Sequence, residues 1–345
     1  MVTGISMPVR RRTTLGRRVV GLLVCVAALL VIVLLSLAIG TRGTPLANVI
    51  GALFSPQSGN PDLIVIRDLR VPRTVIGIVV GLALGMAGGI MQGITRNPLA
   101  DPGILGVDAG ASVFVVLAIA LLGITSPAGF IWFAFAGAAA AAAIVYGIGS
   151  IGREGATPVK LALCGMAVTA VGTSIVTLLL ISSTNTLNSF RFWQVGSLAS
   201  RSLAPLTELW PFLAVGVILA LVVGRMLNLL SLGDDLARGL GQHFATTRTL
   251  TAIAVVLLCG SATALAGPIV FVGLVVPHLA RFFVGPDYRW ILVYSAVLGP
   301  ALLLVADVIG RLVVAPSELE AGLVVALVGA PVMIALVRRV KLAGL

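Results

Sequence analysis

Charge is scarce in this chain. Of its 345 residues only 10% are Asp, Glu, Lys or Arg, against about 25% in a soluble domain, so most of its surface cannot face water. Lysine is rarer still: Lys160 and Lys341 are the two among 23 basic residues. Neither follows the glycines of G-x-x-x-x-G-K-[ST], which excludes a P-loop ATPase on this chain. Histidine is limited to His243 and His278. With no H-E-x-x-H and no clustered carboxylates, a metalloprotease centre is unsupported. Cys25, Cys164 and Cys259 all lie inside apolar runs and read as small hydrophobes, not as disulfide, metal or nucleophile residues.

Two features invite a wrong reading. The net charge of +11 would suit a nucleic-acid binder, but such a binder clusters its basic residues on one face among aromatics. Here they are scattered through short gaps between apolar runs, as in basic loops at a membrane surface. Gly147-Ile-Gly-Ser-Ile-Gly152 matches G-x-G-x-x-G, yet it ends an Ala-rich apolar run and follows no strand, so it does not predict dinucleotide binding.

What is present is hydrophobic sequence, 59% of the chain. Nearly uncharged runs lie at about 19–40, 74–94, 103–123, 129–149, 159–181, 210–227, 250–267, 291–309 and 321–337. Most reach the ~20 residues that a helix needs to cross a bilayer. A shorter run, 268–280, opens at Pro268 and ends at Pro277-His278. It counts as a tenth, broken or re-entrant span, since such backbone survives in a membrane only when buried in protein. The first run follows Arg10, Arg11, Arg12, Arg17 and Arg18 and offers Ser36-Leu37-Ala38 as a small-x-small site. It is long for a signal peptide, so an uncleaved span is expected. With the N-terminus inside and ten crossings, 16 basic residues fall inside and 7 outside, as the positive-inside rule requires.

Gly77, Gly81, Gly85, Gly89 and Gly93 recur every fourth residue, a stripe that lets a neighbouring helix approach closely. A small-residue run followed by a Pro-broken stretch occurs at Gly85–Pro102 and again at Gly260–Pro277, the pattern of an inverted repeat around a pathway. Ionisable residues within runs mark ion-coupled carriers. The candidates Asp108, Lys160, Arg225, His278 and Asp307 mostly sit near run ends, and none reads as a convincing midplane carboxylate. The long polar stretch Leu227–Thr249 holds a short capped helix, with Asp234 and Asp235 at its start and Gly239 and Gly241 at its end.

Several segments resemble, in order from about Pro45 onward, the permeases of siderophore and cobalamin ABC importers. They are Arg70-Val-Pro-Arg73-Thr-Val75, Met91-Gln92, Asn97-Pro-Leu-Ala-Asp101-Pro-Gly-Ile-Leu-Gly106, Leu232-Gly233 with Ala237-Arg238-x-Leu240-Gly241, Phe271-Val-Gly-Leu-Val-Val-Pro-His278 with Arg281, Ala306-Asp-Val-Ile-Gly-Arg311 and Gly329-Ala-Pro-Val332. The resemblance implies an all-α integral membrane protein of about ten transmembrane helices, with the type II importer permease fold and a weak inverted repeat. A basic cytoplasmic segment, 1–18, would precede one permease domain, 19–345, whose cytoplasmic coupling loop covers about 228–249. The chain would sit in the bacterial cytoplasmic membrane with both termini inside.

It also implies partners: a second permease, identical or related, two cytoplasmic ATPases that hold ATP and Mg, and an extracytoplasmic binding protein. The chain itself would carry no catalytic residue, cofactor or metal. Gly233, Asp234, Asp235, Ala237, Arg238, Gly239, Leu240 and Gly241 would engage the ATPase. Arg70, Arg73 and Arg311 would form an outer basic patch that receives carboxylates of the binding protein. Ala156 and Thr157, then Thr177, Ser182 and Ser183, would line the route. Phe192-Trp193-x-x-Gly196-Ser-Leu198 looks more like the iron-siderophore branch than the cobalamin branch, so a ferric siderophore is expected ahead of cobalamin or haem. An ion-coupled secondary transporter is the competing reading from another class; an intramembrane enzyme lacks a residue constellation.

Overall fold

The computed structural model describes residues 15–40, 61–152, 157–199, 202–231, 239 and 244–342. Among them every regular element is helical: α1 (Leu15–Ala38), α2 (Pro61–Val65), a π-helical turn (Ile66–Arg70), α3 (Val71–Thr95), a 3-10 turn (Pro102–Leu105), α4 (Val107–Leu122), α5 (Pro127–Gly149), α6 (Pro158–Ser182), α7 (Thr184–Gln194), α8 (Ala204–Leu230), α9 (Phe244–Ala266), α10 (Val272–Val284), α11 (Tyr288–Val313) and α12 (Ala321–Leu342). Seven helices among the described residues are long and apolar enough to cross a bilayer, and α4, α10 and the Ala321–Ala335 part of α12 are shorter apolar helices. These ten match the ten expected runs.

Local chemistry sets the boundaries. Prolines stand in the first turn of α3, α5, α6 and α8, where the missing N–H has no intrahelical partner to lose. Ser126, Thr157 and Ser183 cap α5, α6 and α7 by accepting backbone N–H groups. Two boundaries differ from expectation. The second span begins well before 74, because α2 and the π turn continue into α3. The run at 103–123 is divided, because Gly106 adopts φ +70° and separates the 3-10 turn from α4.

α3 is the central column, with 78% of its apolar window buried, against 11% for α1 and 17% for α6. Its glycine stripe faces α11. A Cβ on Gly81 would lie 2.6 Å from the Pro300 backbone, and one on Gly85 2.7 Å from the Ser295 carbonyl. Only a bare backbone permits that approach, which bears out the packing role of the stripe.

The chain breaks at 96–106 and at 267–271. At about 1.5 Å per residue α4 and α10 are too short to cross ~30 Å alone, so coil completes each crossing. The first break packs against α10: a Cβ on Gly273 would touch Pro102 Cδ at 2.9 Å, and His278 Nε2 bonds the Pro98 carbonyl at 2.8 Å. Gln92 Nε2 donates to the carbonyls of Gly273 and Leu274, while Arg281 donates to Gln92 Oε1. The Pro98 carbonyl of the coil, and the Gly273 carbonyl that Pro277 leaves without a helical N–H donor, are thereby satisfied by side chains.

Candidate functional site

Beside the first break, polar groups face space. Asp108 is in the first turn of α4, and its Oδ1 accepts from Thr263 Oγ1 of α9 at 2.8 Å. Asp101 caps the 3-10 turn through the Gly103 N–H at 2.9 Å. Gly103 lies between the carboxylates: a Cβ there would be 3.1 Å from Asp101 Oδ1 and 3.7 Å from Asp108 Oδ2. Beside Asp108 opens a cavity of about 450 Å³. Its walls include Ser112 of α4, Thr169, Thr173 and Thr177 of α6, Gln194 of α7, the coil at Pro268 and Gly322 of α12. Spacing of four stacks the three threonines in one column. Such a wall offers many weak hydroxyl contacts and no tight grip. Among the described residues no three His, Cys, Asp or Glu side chains are grouped to hold a metal ion.

The route residues expected from sequence fare unequally. Thr177 lines this cavity. Thr157 and Ser183 act as helix caps, and the Ser182 hydroxyl turns back to the Leu179 carbonyl at 2.9 Å. Ala156 lies outside the described residues. The sequence places Asp108 near a run end; in the structure residues 96–106 carry the chain inward before α4 begins. The sequence signal was Gly106, whose left-handed φ ends one turn and starts another.

The three arginines expected as an outer patch are gathered at one end of the bundle, but they are buried. Arg73 donates Nε to both carboxylate oxygens of Asp307 at 3.0 Å and Nη1 to Glu318 at 2.6 Å. Arg311 pairs with the same Asp307 and donates to the carbonyls of Ser36 and Ile39 at 2.8 and 2.9 Å. Arg70 donates to the carbonyls of Leu37 and Ala38, both at 2.8 Å. Asp307 is 0% and Arg311 2% exposed. The arginines therefore form an interior cluster and not the exposed patch expected from the sequence. Two of the arginines cap the C-terminal carbonyls of α1, and two neutralise an interior carboxylate. Asp307, four residues before Arg311, carried the signal: the i, i+4 pair bridges instead of snorkelling.

At the opposite end Asp287 caps α11 through the Arg289 N–H at 3.2 Å. Asn228, in the last turn of α8, donates to Asp287 at 2.7 Å and accepts the Tyr288 N–H at 2.7 Å. Arg18 of α1 joins the same carboxylate at 3.1 Å. Burial pushes the Asp287 carboxyl up, but the bonds from Asn228 and Arg289 and the charge of Arg289 outweigh it and hold it below its ordinary 3.8. Asn228 of this clasp stands at the start of the expected cytoplasmic coupling loop, about 228–249. Of its expected ATPase-contacting residues Gly239 is described: it is exposed, with no atom within 4 Å of where a Cβ would stand. Gly233, Asp234, Asp235, Ala237, Arg238, Leu240 and Gly241 lie outside the described residues. The short amphipathic α7 was not foreseen, because residues 184–194 are polar and fall between apolar runs.

A broken ten-helix bundle with a hydroxyl-lined cavity, and with no catalytic constellation among the described residues, has clear relatives. "Probable siderophore transport system permease protein YfiZ" of Bacillus subtilis is 44% identical over 92% of this chain and 95% of its own length. The ferric enterobactin transport system permease protein FepD of Escherichia coli is 46% identical over 90% of this chain and 92% of its own. A solved metal-chelate type ABC transporter in an inward-facing conformation superposes with a TM-score of 0.80 at 29% identity, covering 92% of this chain and 98% of its own. The sequence pattern of the FecCD transport family matches residues 28–339, and the chain belongs to that family.

Proposed function

We propose that this chain is the membrane-spanning permease of an ABC importer for ferric siderophores, and that the cavity beside Asp108 is its half of the passage. The observation that carries the reading is the threonine column of α6, aligned along a cavity of about 450 Å³ on the least buried long helix apart from α1. A second permease, identical or related, would close that open side. The iron chelate follows from the names of the relatives, several of which are permeases for siderophores, ferric citrate or iron-hydroxamate.

The Asp287 end is taken as cytoplasmic, in line with the positive-inside count. The segment after Ser231 would there meet two ATPase subunits that hold ATP and Mg, and the clasp of Asn228 on Asp287 would pass its movement to α11. The binding protein would dock at the Asp307 end. Because Arg73 and Arg311 are already paired, an incoming carboxylate would reach the cluster by replacing Glu318, the partly exposed partner of Arg73.

Purified complex in proteoliposomes, given binding protein loaded with a ferric siderophore, should hydrolyse ATP faster and take up radioiron only with ATP. Uptake that persists without ATP and collapses with an ionophore would replace this reading with an ion-coupled carrier, for which Asp108 is the natural carboxylate.

A further inference from the structure

We propose that Asp108 makes the cavity a charge filter, favouring neutral or cationic ferric chelates of the hydroxamate type over anionic catecholate and carboxylate chelates. The proposal rests on the reading of this cavity as the passage. Among the described residues Asp108 is the single ionisable side chain on the lining; the others are apolar, hydroxyl or amide groups. Its Oδ1 takes the Thr263 hydroxyl, and among the described residues no donor takes Oδ2. Among the described residues no lysine, arginine or histidine lines the cavity. The cation nearest in sequence to the lining is Arg191, close before Gln194, and its guanidinium lies over the Phe192 ring, 4.8 Å from the centroid.

Two further features strengthen the field. Asp101 stands across Gly103 from Asp108 and adds charge of the same sign. Asp108 lies in the first turn of α4, the helix end whose dipole attracts negative charge. Walls of low polarisability concentrate such a field within a cleft. A ferric trishydroxamate is neutral, or cationic where its backbone carries an ammonium, and can place its ligand oxygens against the threonine hydroxyls without an opposing charge. A ferric triscatecholate is trianionic and would enter against the carboxylate with no counter-cation on the wall.

The test uses the permease–ATPase complex in nanodiscs, with Cys25, Cys164 and Cys259 replaced by serine and Thr173→Cys as reporter. Labelling rates are compared for a cationic trimethylammonium-ethyl and an anionic sulfonato-ethyl methanethiosulfonate, each divided by its rate with a free small thiol. The cationic reagent should be favoured about tenfold, as one nearby charge of intermediate screening gives. Asp108→Asn should bring the ratio near one, and Asp108→Glu should preserve it. In the same reporter, ferric trishydroxamate should protect the thiol at a concentration about tenfold lower than ferric triscatecholate, and Asp108→Asn should close that gap. Labelling without charge preference, a preference unmoved by Asp108→Asn, or equal or better protection by the catecholate each overturns the filter while leaving the passage intact. Labelling by neither reagent in nucleotide-free, ATP-bound and vanadate-trapped complex removes the passage, and the filter with it.

Discussion

Asp307 is where one substitution tests most of the packing argument. It is fully buried and accepts from two arginines, Arg73 of α3 and Arg311 of its own helix. Asp307→Leu leaves both guanidiniums interior without their shared anion. Breaking a buried pair in this way costs about 3–5 kcal/mol. Arg73 retains Glu318 at 2.6 Å and Arg311 retains the Ser36 and Ile39 carbonyls, so the lower part of that range is expected. At about 2–4 °C per kcal/mol the unfolding midpoint should fall by on the order of 10 °C. Cys25 and Cys259 are both buried, so a thiol-reactive fluorophore reports the transition, Cys25 for α1 and Cys259 for the interior of α9. Arg311→Met alone should release the C-terminal end of α1, while Cys25, packed with Ala280, Val284, Ile291 and Tyr294 towards the other end, stays protected. The double variant Asp307→Leu/Arg311→Met removes one charge of each sign and should be more stable than the sum of the singles by about 0.5–3 kcal/mol. A midpoint shift below about 2 °C for Asp307→Leu, or strict additivity in the double variant, would refute the view that this cluster is a coupled interior network.

Gly85→Leu should prevent a folded, monodisperse protein by size exclusion, because its Cβ would start 2.7 Å from the Ser295 carbonyl; Gly147→Leu, with nothing within 4 Å, should be tolerated. Gly239→Asp should abolish co-purification of the ATPase and binding-protein-stimulated hydrolysis while the permease itself stays folded, since Gly239 is exposed. The depressed Asp287 carboxyl adds stability above its unfolded value near pH 4 and loses it as pH falls through the still lower folded value. Thermal midpoints should therefore gain nothing from Asp287 between pH 5 and 7. Below about pH 4 the wild type should decline towards the Asp287→Asn variant.

The ten spans were legible because a membrane demands long apolar segments, and composition alone supplies that signal. The glycine stripe at every fourth position was legible for a similar reason: its period is the helix period, so the face against α11 could be read from spacing. What could not be read was depth. Asp108 and Asp307 both sit near the ends of apolar runs, yet one opens a helix that starts inside the bundle and the other is claimed by Arg73 from a helix more than 200 positions away. A one-dimensional window records neither a coil that carries the chain inward nor an anion that arrives from elsewhere. The burial of the arginines is hidden from the sequence for that reason. Read without Asp307 and Glu318 beside them, they looked like free positive charge at an interface.

The placement of polar groups suggests how one helix could relay motion. α11 is fastened at each end by a carboxylate, Asp287 to α8 through Asn228 and Asp307 to α3 through Arg73. Between those points it runs against the bare glycine backbone of α3, where no side chains interlock at Gly81 and Gly85. Backbone contact at Gly81 and Gly85 leaves the middle of α11 without interlocking side chains, while Leu304 and Leu292 of α11 pack onto Gly77 and Gly89 on either side. The first break and the start of α10 beside it are likewise held by side chains, Gln92, His278 and Arg281, which can exchange bonds more readily than a continuous ladder. A displacement of the segment after Ser231 would thus have a defined mechanical route, from Asn228 to Asp287 and along α11. It would end at the Asp307 cluster, while α3, buried along most of its length, remains the fixed rail.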